Sequence, residues 1–259
     1  MRILLALLLT LTPVPAFAWG AQGHEIVATI AAQHLTPHAR AQVAKLLGSP
    51  AMLIHDANWA DEVRDQRPET GRWHYVDIPL GAPGYVQGRH CPSGQCVVAQ
   101  IVSARQALAN PRLSAARRAE ALRFLIHFVA DLHQPLHAAD DHDRGGNEVR
   151  VNLQGRRTNL HQLWDTRIVE ALGHDAAKIA GSIAAGVTPA QRKSWQAGTP
   201  AAWANESHRF ARDTIYPMVE GRRSLRLSND YLRREIPATR QQLAKAGLRL
   251  AWLLNDTLR

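Results

Sequence analysis

The run from Ser114 to His137 constrains this chain more than any other stretch. Its apolar residues recur at helical spacing, Ser114 is placed to cap it, and Pro135 bends or ends it. Within its last eleven residues stand three histidines and an aspartate: His127, Asp131, His133 and His137. A helix this apolar must pack into a core, yet buried imidazoles and carboxylates need partners there. His127 and Asp131 are four residues apart, so they project from one helix face, one turn above the other. That pair suits a divalent metal, zinc above all. Alone, one such pair is more simply read as two core side chains satisfied by their neighbours. Only further ligands of the same kind change that reading.

They occur. Trp19-Gly-Ala-Gln-Gly-His24 places a histidine near the start of the chain's globular part. Asn58-Trp-Ala-Asp61-Glu-Val-Arg64 carries an aspartate with an arginine about one helical turn later. Trp73-His74-Tyr75-Val76-Asp77 sets a histidine beside an aromatic residue. Asn159-Leu-His161-Gln-Leu-Trp-Asp165 repeats the four-residue His to Asp spacing. Two such pairs on two helices, with three further segments, are hard to assign to a core. Metal ions supply the partners that such groups require.

The first eighteen residues read as a signal peptide. Arg2 gives a positive start, residues 3–11 an apolar stretch too short to span a bilayer, and Ala16-Phe17-Ala18 a cleavage site. Cleavage after Ala18 makes Trp19 a free N-terminus of a secreted or periplasmic protein. No later stretch has the length and apolarity of a membrane span. Two cysteines, Cys91 and Cys96, close together in an exported chain, read as a local disulfide. The formal charge is +9, or +8 without Arg2, which favours anionic partners.

Periodicity is helical almost throughout, so the expected class is all-α, one mainly helical domain over residues 19–259. Helices are predicted over 26–35, from Thr36-Pro37 to near Gly48, over 58–65, 97–109, 114–127 and 160–172, and from Thr188-Pro189 and Thr199-Pro200. A last one covers 228–258, with a kink or break at Pro237. Residues 72–79 look extended, 140–147 form a polar loop, and 148–160 a small hairpin about Gln154-Gly155.

These motifs resemble the S1/P1 nucleases, zinc-dependent enzymes specific for single strands. The match lies in Trp-Gly-x-x-Gly-His after a signal peptide, Trp-Ala-Asp, Trp-His-Tyr-x-Asp, His-x3-Asp-x-His-Gln-Pro-Leu-His, Gly-Gly-Asn and Asn-Leu-His-x2-Trp-Asp, in the family's order. With the closing helix, the resemblance covers essentially the whole mature chain. It implies three zinc ions. One is held by Asp61, His74, His127 and Asp131, and a second by His137, His161 and Asp165. The third is held by His24, Asp131 and the amine and carbonyl of Trp19, so Asp131 bridges two metals. It further implies attack of an activated water on phosphorus, leaving a 5′-phosphate. Asp61 at the reacting centre and Arg64 on a phosphate oxygen are its catalytic pair. Tyr75 is a stacking platform, with Asp77 and Asn147 as base contacts. The family more often has Phe where Tyr75 stands; either ring stacks.

The expected substrates are single-stranded DNA, RNA and mononucleotides, with 3′-nucleotidase activity in addition, and the expected state is a monomer. A zinc phospholipase C, built on a related trinuclear site, and a non-catalytic zinc or nucleic-acid binder are the alternatives. His133, pointing off the ligand face, reads as structural. His142 reads as part of a solvated loop.

Overall fold

The computed structural model describes residues 19–259; the expected signal peptide and its cleavage site lie outside the described residues. Helix α1 (Ala21–Gln33) is followed by α2 (Pro37–Leu47), the short α3 (Trp59–Glu62), α4 (Val97–Ala109) and α5 (Ala115–Asp131). Thr36 and Ser114 cap α2 and α5 by accepting from the backbone N–H of Ala39 and Arg117, as the sequence predicts. Strands β1 (Arg150–Leu153) and β2 (Arg156–Asn159) form the expected hairpin. Helices α6 (Ala176–Ala185), α7 (Pro189–Trp195) and α8 (Pro200–Phe210) come next. Strand β3 (Ser224–Leu227) and the long α9 (Asn229–Thr257) close the chain.

The protein is mainly helical. Its central layer is α5, every residue of which from Phe124 to Asp131 is buried, with α4 along one side and α1 and α9 packed against each other beside it. Phe124, Leu125, Phe128 and Val129 carry the apolar contacts of α5, while His127 and Asp131 are embedded in the same core. A second apolar cluster, built on Val151, Leu160, Trp164, Ile215 and Leu225, seats the small sheet. Cys91 and Cys96 form the expected disulfide. No helix among the described residues is long and apolar enough to cross a membrane.

Four details depart from expectation. Helix α1 begins at Ala21 rather than near residue 26, because the two glycines around Gln22 hide a helical turn that Gly20 opens. The segment expected to be extended over 72–79 starts as a 3-10 turn (Pro68–His74). It straightens only at Tyr75, where Val76 N–H donates to His137 O and Asp140 N–H to Ile78 O. Helix α9 runs unbroken through Pro237, because buried side chains on both sides of it, Tyr231 and Glu235 before and Thr239 and Leu243 after, hold its two halves in one packed face. The hairpin is also one strand short of the truth. Strand β3 pairs parallel with β1, giving the order β2-β1-β3, a contact across seventy residues that no local pattern reports.

Candidate metal centre

The candidate ligands are delivered by several local devices. His127 and Asp131 come from the last turns of α5, and His24 from the first turns of α1, whose ring stacks on that of His127 at 3.9 Å between centroids. Asp61 comes from α3, and His74 from the end of its 3-10 turn. His137 lies on the turn Pro135–Ala138 that follows α5, opened by Gln134, whose side chain accepts from Leu136 N–H. His161 and Asp165 lie on the helical segment 160–170. A π-turn over Leu163–Arg167 carries Asp165, a distortion of the sort common at functional sites.

Three backbone carbonyls set the chemistry of this cluster. His127 Nδ1 contacts Ala57 O at 2.8 Å, His137 Nδ1 contacts His74 O at 2.9 Å, and His161 Nδ1 contacts Gly145 O at 2.7 Å. A carbonyl only accepts, so each Nδ1 carries the proton and each Nε2 is left as a bare acceptor. Those acceptors face other acceptors. His127 Nε2 lies 3.3 Å from Asp131 Oδ2, and His161 Nε2 lies 3.3 Å from Asp165 Oδ2. His137 Nε2 stands 3.7 Å from Asp165 Oδ1. His24, whose Nδ1 meets no carbonyl, places its Nε2 3.4 Å from Asp131 Oδ1. His74 Nδ1 sits 3.0 Å from Asp131 Oδ2, 3.1 Å from His127 Nε2 and 3.6 Å from Asp61 Oδ1. One N–H can serve only one of those three.

Acceptors do not crowd together in a dry core without a cation among them. Donors about 2.0–2.1 Å from a tetrahedral zinc stand roughly 3.3–3.4 Å from one another, the spacing seen here. The buried Oδ1 atoms of Asp61 and Asp131, both nitrogens of His24 and Nε2 of His137 lack a hydrogen-bond partner. Nor are His24, His74, His137 and His161 candidates for protonation. Burial, then repulsion from His127, His74 and His137, holds His24 well below the usual imidazole range, and burial lowers His74 and His161 to about 4. Burial, with His161 beside it, lowers His137 likewise. Burial pushes the carboxyls of Asp131 and Asp165 well above their ordinary value, a cost that a bound cation reverses. The residues fit the metal that the sequence resemblance implies.

The side chains fall into three metal-capable groups: His24, His127 and Asp131; Asp61, His74 and His127; and His137, His161 and Asp165. His127 is thus common to two of the groups, and Asp131, a member of one, stands 3.0 Å from His74 of the other. Trp19 is fully buried against Gly23, where a Cβ would come within 2.8 Å of it, and Gly20 N–H donates to Asp165 O. The start of the described chain is thereby pinned to the segment bearing Asp165.

His74, His137 and His161 form part of the wall of a cavity of about 690 Å³, which Arg64, Tyr75, Asp77, Arg144 and Asn147 also line. Arg64 Nη1 lies 3.6 Å from Asp61 Oδ1. Tyr75 is half-buried, and burial followed by the charge of Asp77 raises its hydroxyl's pKa. Burial, then Asp140, raises Asp77. Asn147 spends one N–H on Arg144 O, at 2.9 Å, which leaves the other free.

A family profile described as S1/P1 Nuclease matches residues 19–259. This chain belongs to the S1/P1 nuclease family. Among its relatives, Nuclease PA3 of Penicillium sp and Nuclease P1 of Penicillium citrinum are each 32% identical to it, over 92% of this chain and 97% of their own length. Endonuclease 2 of Arabidopsis thaliana is also 32% identical, over 92% of this chain and 89% of its own length. The S1/P1 nuclease described here is accordingly an enzyme, a hydrolase of phosphodiester bonds.

Membership does not account for every residue of the centre, and two supports escaped sequence reasoning. Gln134, fully buried, donates from Nε2 to Asp165 Oδ1 at 2.5 Å while its carbonyl oxygen caps the turn bearing His137. It therefore aims one carboxylate and one imidazole together. Asp143 is the other. Its carboxylate accepts from Tyr216 Oη at 2.9 Å and from Gly146 N–H at 2.9 Å, clasping the loop whose Gly145 O orients His161. Gly145 has φ +61°, and a Cβ there would meet Leu136 O at 2.6 Å, so the loop needs glycine at that point. The acidic loop signalled solvation in the sequence; Asp143 is instead wholly buried. His133 has the structural role expected, Nδ1 donating to Val129 O and Nε2 accepting from Arg249.

Proposed function

We propose that this protein is an exported trinuclear-zinc endonuclease that cleaves single-stranded DNA and RNA to 5′-phosphate products and also dephosphorylates 3′-mononucleotides. The observation that carries the reading is the buried imidazole and carboxylate cluster around Asp131 and Asp165, in which Nε2 of His127, His137 and His161 has no proton to give, with His74, His137 and His161 forming part of the wall of an open cavity. Asp61, His74, His127 and Asp131 would hold one zinc, and His137, His161 and Asp165 a second. His24, Asp131 and the amine and carbonyl of Trp19 would hold the third. When bound, zinc supplies the Lewis acidity that makes water a competent nucleophile toward phosphorus near neutral pH.

The chain's own residues do the rest. Arg64, anchored near Asp61 on the cavity wall, would meet a non-bridging phosphoryl oxygen and offset the charge that gathers there. The face of Tyr75 stacks on a base, Asp77 accepts from a base N–H, and Asn147 donates its free N–H. Stacking of this kind requires a base that is not already stacked in a duplex, which selects single strands. Tyr75→Ala is expected to raise KM for a single-stranded oligonucleotide about tenfold with kcat little changed, since one stacked base contributes roughly 1–3 kcal/mol. Steady-state kinetics check this, and an unchanged KM removes Tyr75 from the base site.

The N-terminal chelate is tested separately. A form that keeps residues 1–18 ahead of Trp19 has no free amine there, so it is expected to bind two zinc ions in place of three and to lose most of its activity. Metal analysis and cleavage assays read this out; full zinc content with the leader retained refutes the assignment. The overall reading is tested by comparing hydrolysis of single-stranded DNA with that of phosphatidylcholine. Lipid turnover without DNA turnover overturns it.

A further inference from the structure

A cationic surface adjoins the cleft, and the register of the sheet creates it. Arg150 on β1 stands opposite Asn159 on β2 and Ser224 on β3. One pleat further along, Asn152 stands between Arg157 and Arg226. Residues paired across strands share a face. Strand β1 buries Val151 and Leu153 and turns Arg150 and Asn152 outward, and β3 buries Leu225 between exposed Ser224 and Arg226. Arg157 is exposed with them.

Three features bear on what this face can hold. Arg67, Arg105, Arg123 and Arg233 each meet a carboxylate, whereas no ion pair among the described residues engages Arg150, Arg157 or Arg226. The face also begins at the cleft. Asn159 Nδ2 donates to Asn147 Oδ1 at 3.5 Å, and Asn147 lines the cavity beside Arg144, itself exposed and without an ion pair. Finally, the three strands carry no aromatic residue, so the face has guanidinium forks and amides but nothing on which a base could stack.

We propose that this outer face of the sheet is a phosphate track, which holds the backbone of a single-stranded nucleic acid where it runs out of the cleft past Asn147. The proposal rests on the nuclease reading above. Arginine's planar fork matches phosphate oxygens in pairs. Rows two residues apart lie about 7 Å apart along a strand, and Arg157 and Arg226, one strand apart on either side of Asn152, lie about 10 Å apart. Three arginines at such spacings meet successive phosphates of a flexible strand without reading its bases. A dinucleotide fills the cleft but leaves the track empty, so the track acts on long substrates only.

The test combines Arg150→Gln, Arg157→Gln and Arg226→Gln in the zinc-loaded enzyme. A control combines Lys45→Gln, Arg112→Gln and Lys193→Gln, which remove equal charge from exposed sites elsewhere. One readout is kcat/KM on a twenty-nucleotide single strand divided by that on a dinucleotide; both come from one preparation, so a folding loss cancels. The other is the salt dependence of binding to a cleavage-resistant phosphorothioate strand. Each phosphate contact adds about 0.7 to the slope of log K against log salt, so losing three should lower it by about 2 and weaken binding at least tenfold near 0.1 M salt. The ratio of rates should fall about tenfold or more, while the control keeps both values. Equal behaviour of the two triple variants overturns the track. So does a triple variant that loses binding to phosphatidylglycerol vesicles while keeping its strand affinity. A wild-type enzyme that hydrolyses neither substrate overturns the nuclease reading instead, and the binding slope still decides the track.

Discussion

Asp131→Ala is expected to lower kcat/KM on single-stranded DNA by at least about a thousandfold and to leave one zinc ion per chain. The magnitude follows from position. Removing one preorganised group that stabilises developing charge costs about 10²–10³ in rate, and on the proposed ligand set this substitution would remove a ligand from two metals at once. One carboxylate oxygen lies 3.4 Å from His24, and the other 3.0 Å from His74 and 3.3 Å from His127. Among the described residues, that carboxylate is the one group within 3.4 Å of all three histidines, although Ala57 O still orients His127. His137, His161 and Asp165 form a separate group, supported by Gln134 and Gly145 O, and should keep their metal. Zinc analysis together with kinetics decides the matter. A variant that still carries three zinc ions shows that Asp131 is not a shared ligand. The same variant should melt no lower than the wild type once both are in chelator, because the metal-free wild type keeps a buried carboxylate whose charged form burial disfavours.

What could be read in the sequence follows from how far each interaction reaches along the chain. Caps and spacings are local, so Thr36, Ser114, the four-residue pair His127 and Asp131 and its repeat at His161 and Asp165 announce themselves. The disulfide between Cys91 and Cys96 is equally local. Strand β3 is not, because four residues with alternating burial acquire a strand identity only when they pair with β1. The supports of the site were hidden for the same reason. Gln134 meets Asp165 thirty-one positions away, and Asp143 meets Tyr216 seventy-three away. Asp143 also stands in a stretch whose composition speaks for solvent. Composition describes a segment, but burial of one carboxylate depends on the hydroxyl and N–H groups brought to it by the fold. A ligand motif names who binds, and long-range contacts decide how rigidly.

Chelating the metals is expected to abolish hydrolysis and to lower the melting temperature by about 10 °C or more. The stability effect has two sources with one sign. Any ligand that binds only the folded state stabilises it by mass action, about 4 kcal/mol for a site held at roughly a thousand times its dissociation constant. At 2–4 °C per kcal/mol for a chain of this size, one such site accounts for about 10 °C, and further sites add to it. The second source is the site itself. With the cations gone, His127 Nε2 and Asp131 Oδ2 remain 3.3 Å apart, and His161 Nε2 and Asp165 Oδ2 the same, as buried acceptors with no proton between them. Protein groups relieve this only in part, since Ala57 O and Gly145 O hold the imidazole protons on the far nitrogens and a proton on His74 Nδ1 serves only one of His127 Nε2 and Asp131 Oδ2. Part of the relief must come from protonating Asp131 or Asp165, in keeping with the upward direction of both carboxyls. Calorimetry with and without chelator, followed by zinc readdition, separates these effects from irreversible unfolding. A melting temperature indifferent to chelator would mean that the cluster is a satisfied polar core and that the acceptor contacts at Asp131 and Asp165 are not what zinc relieves.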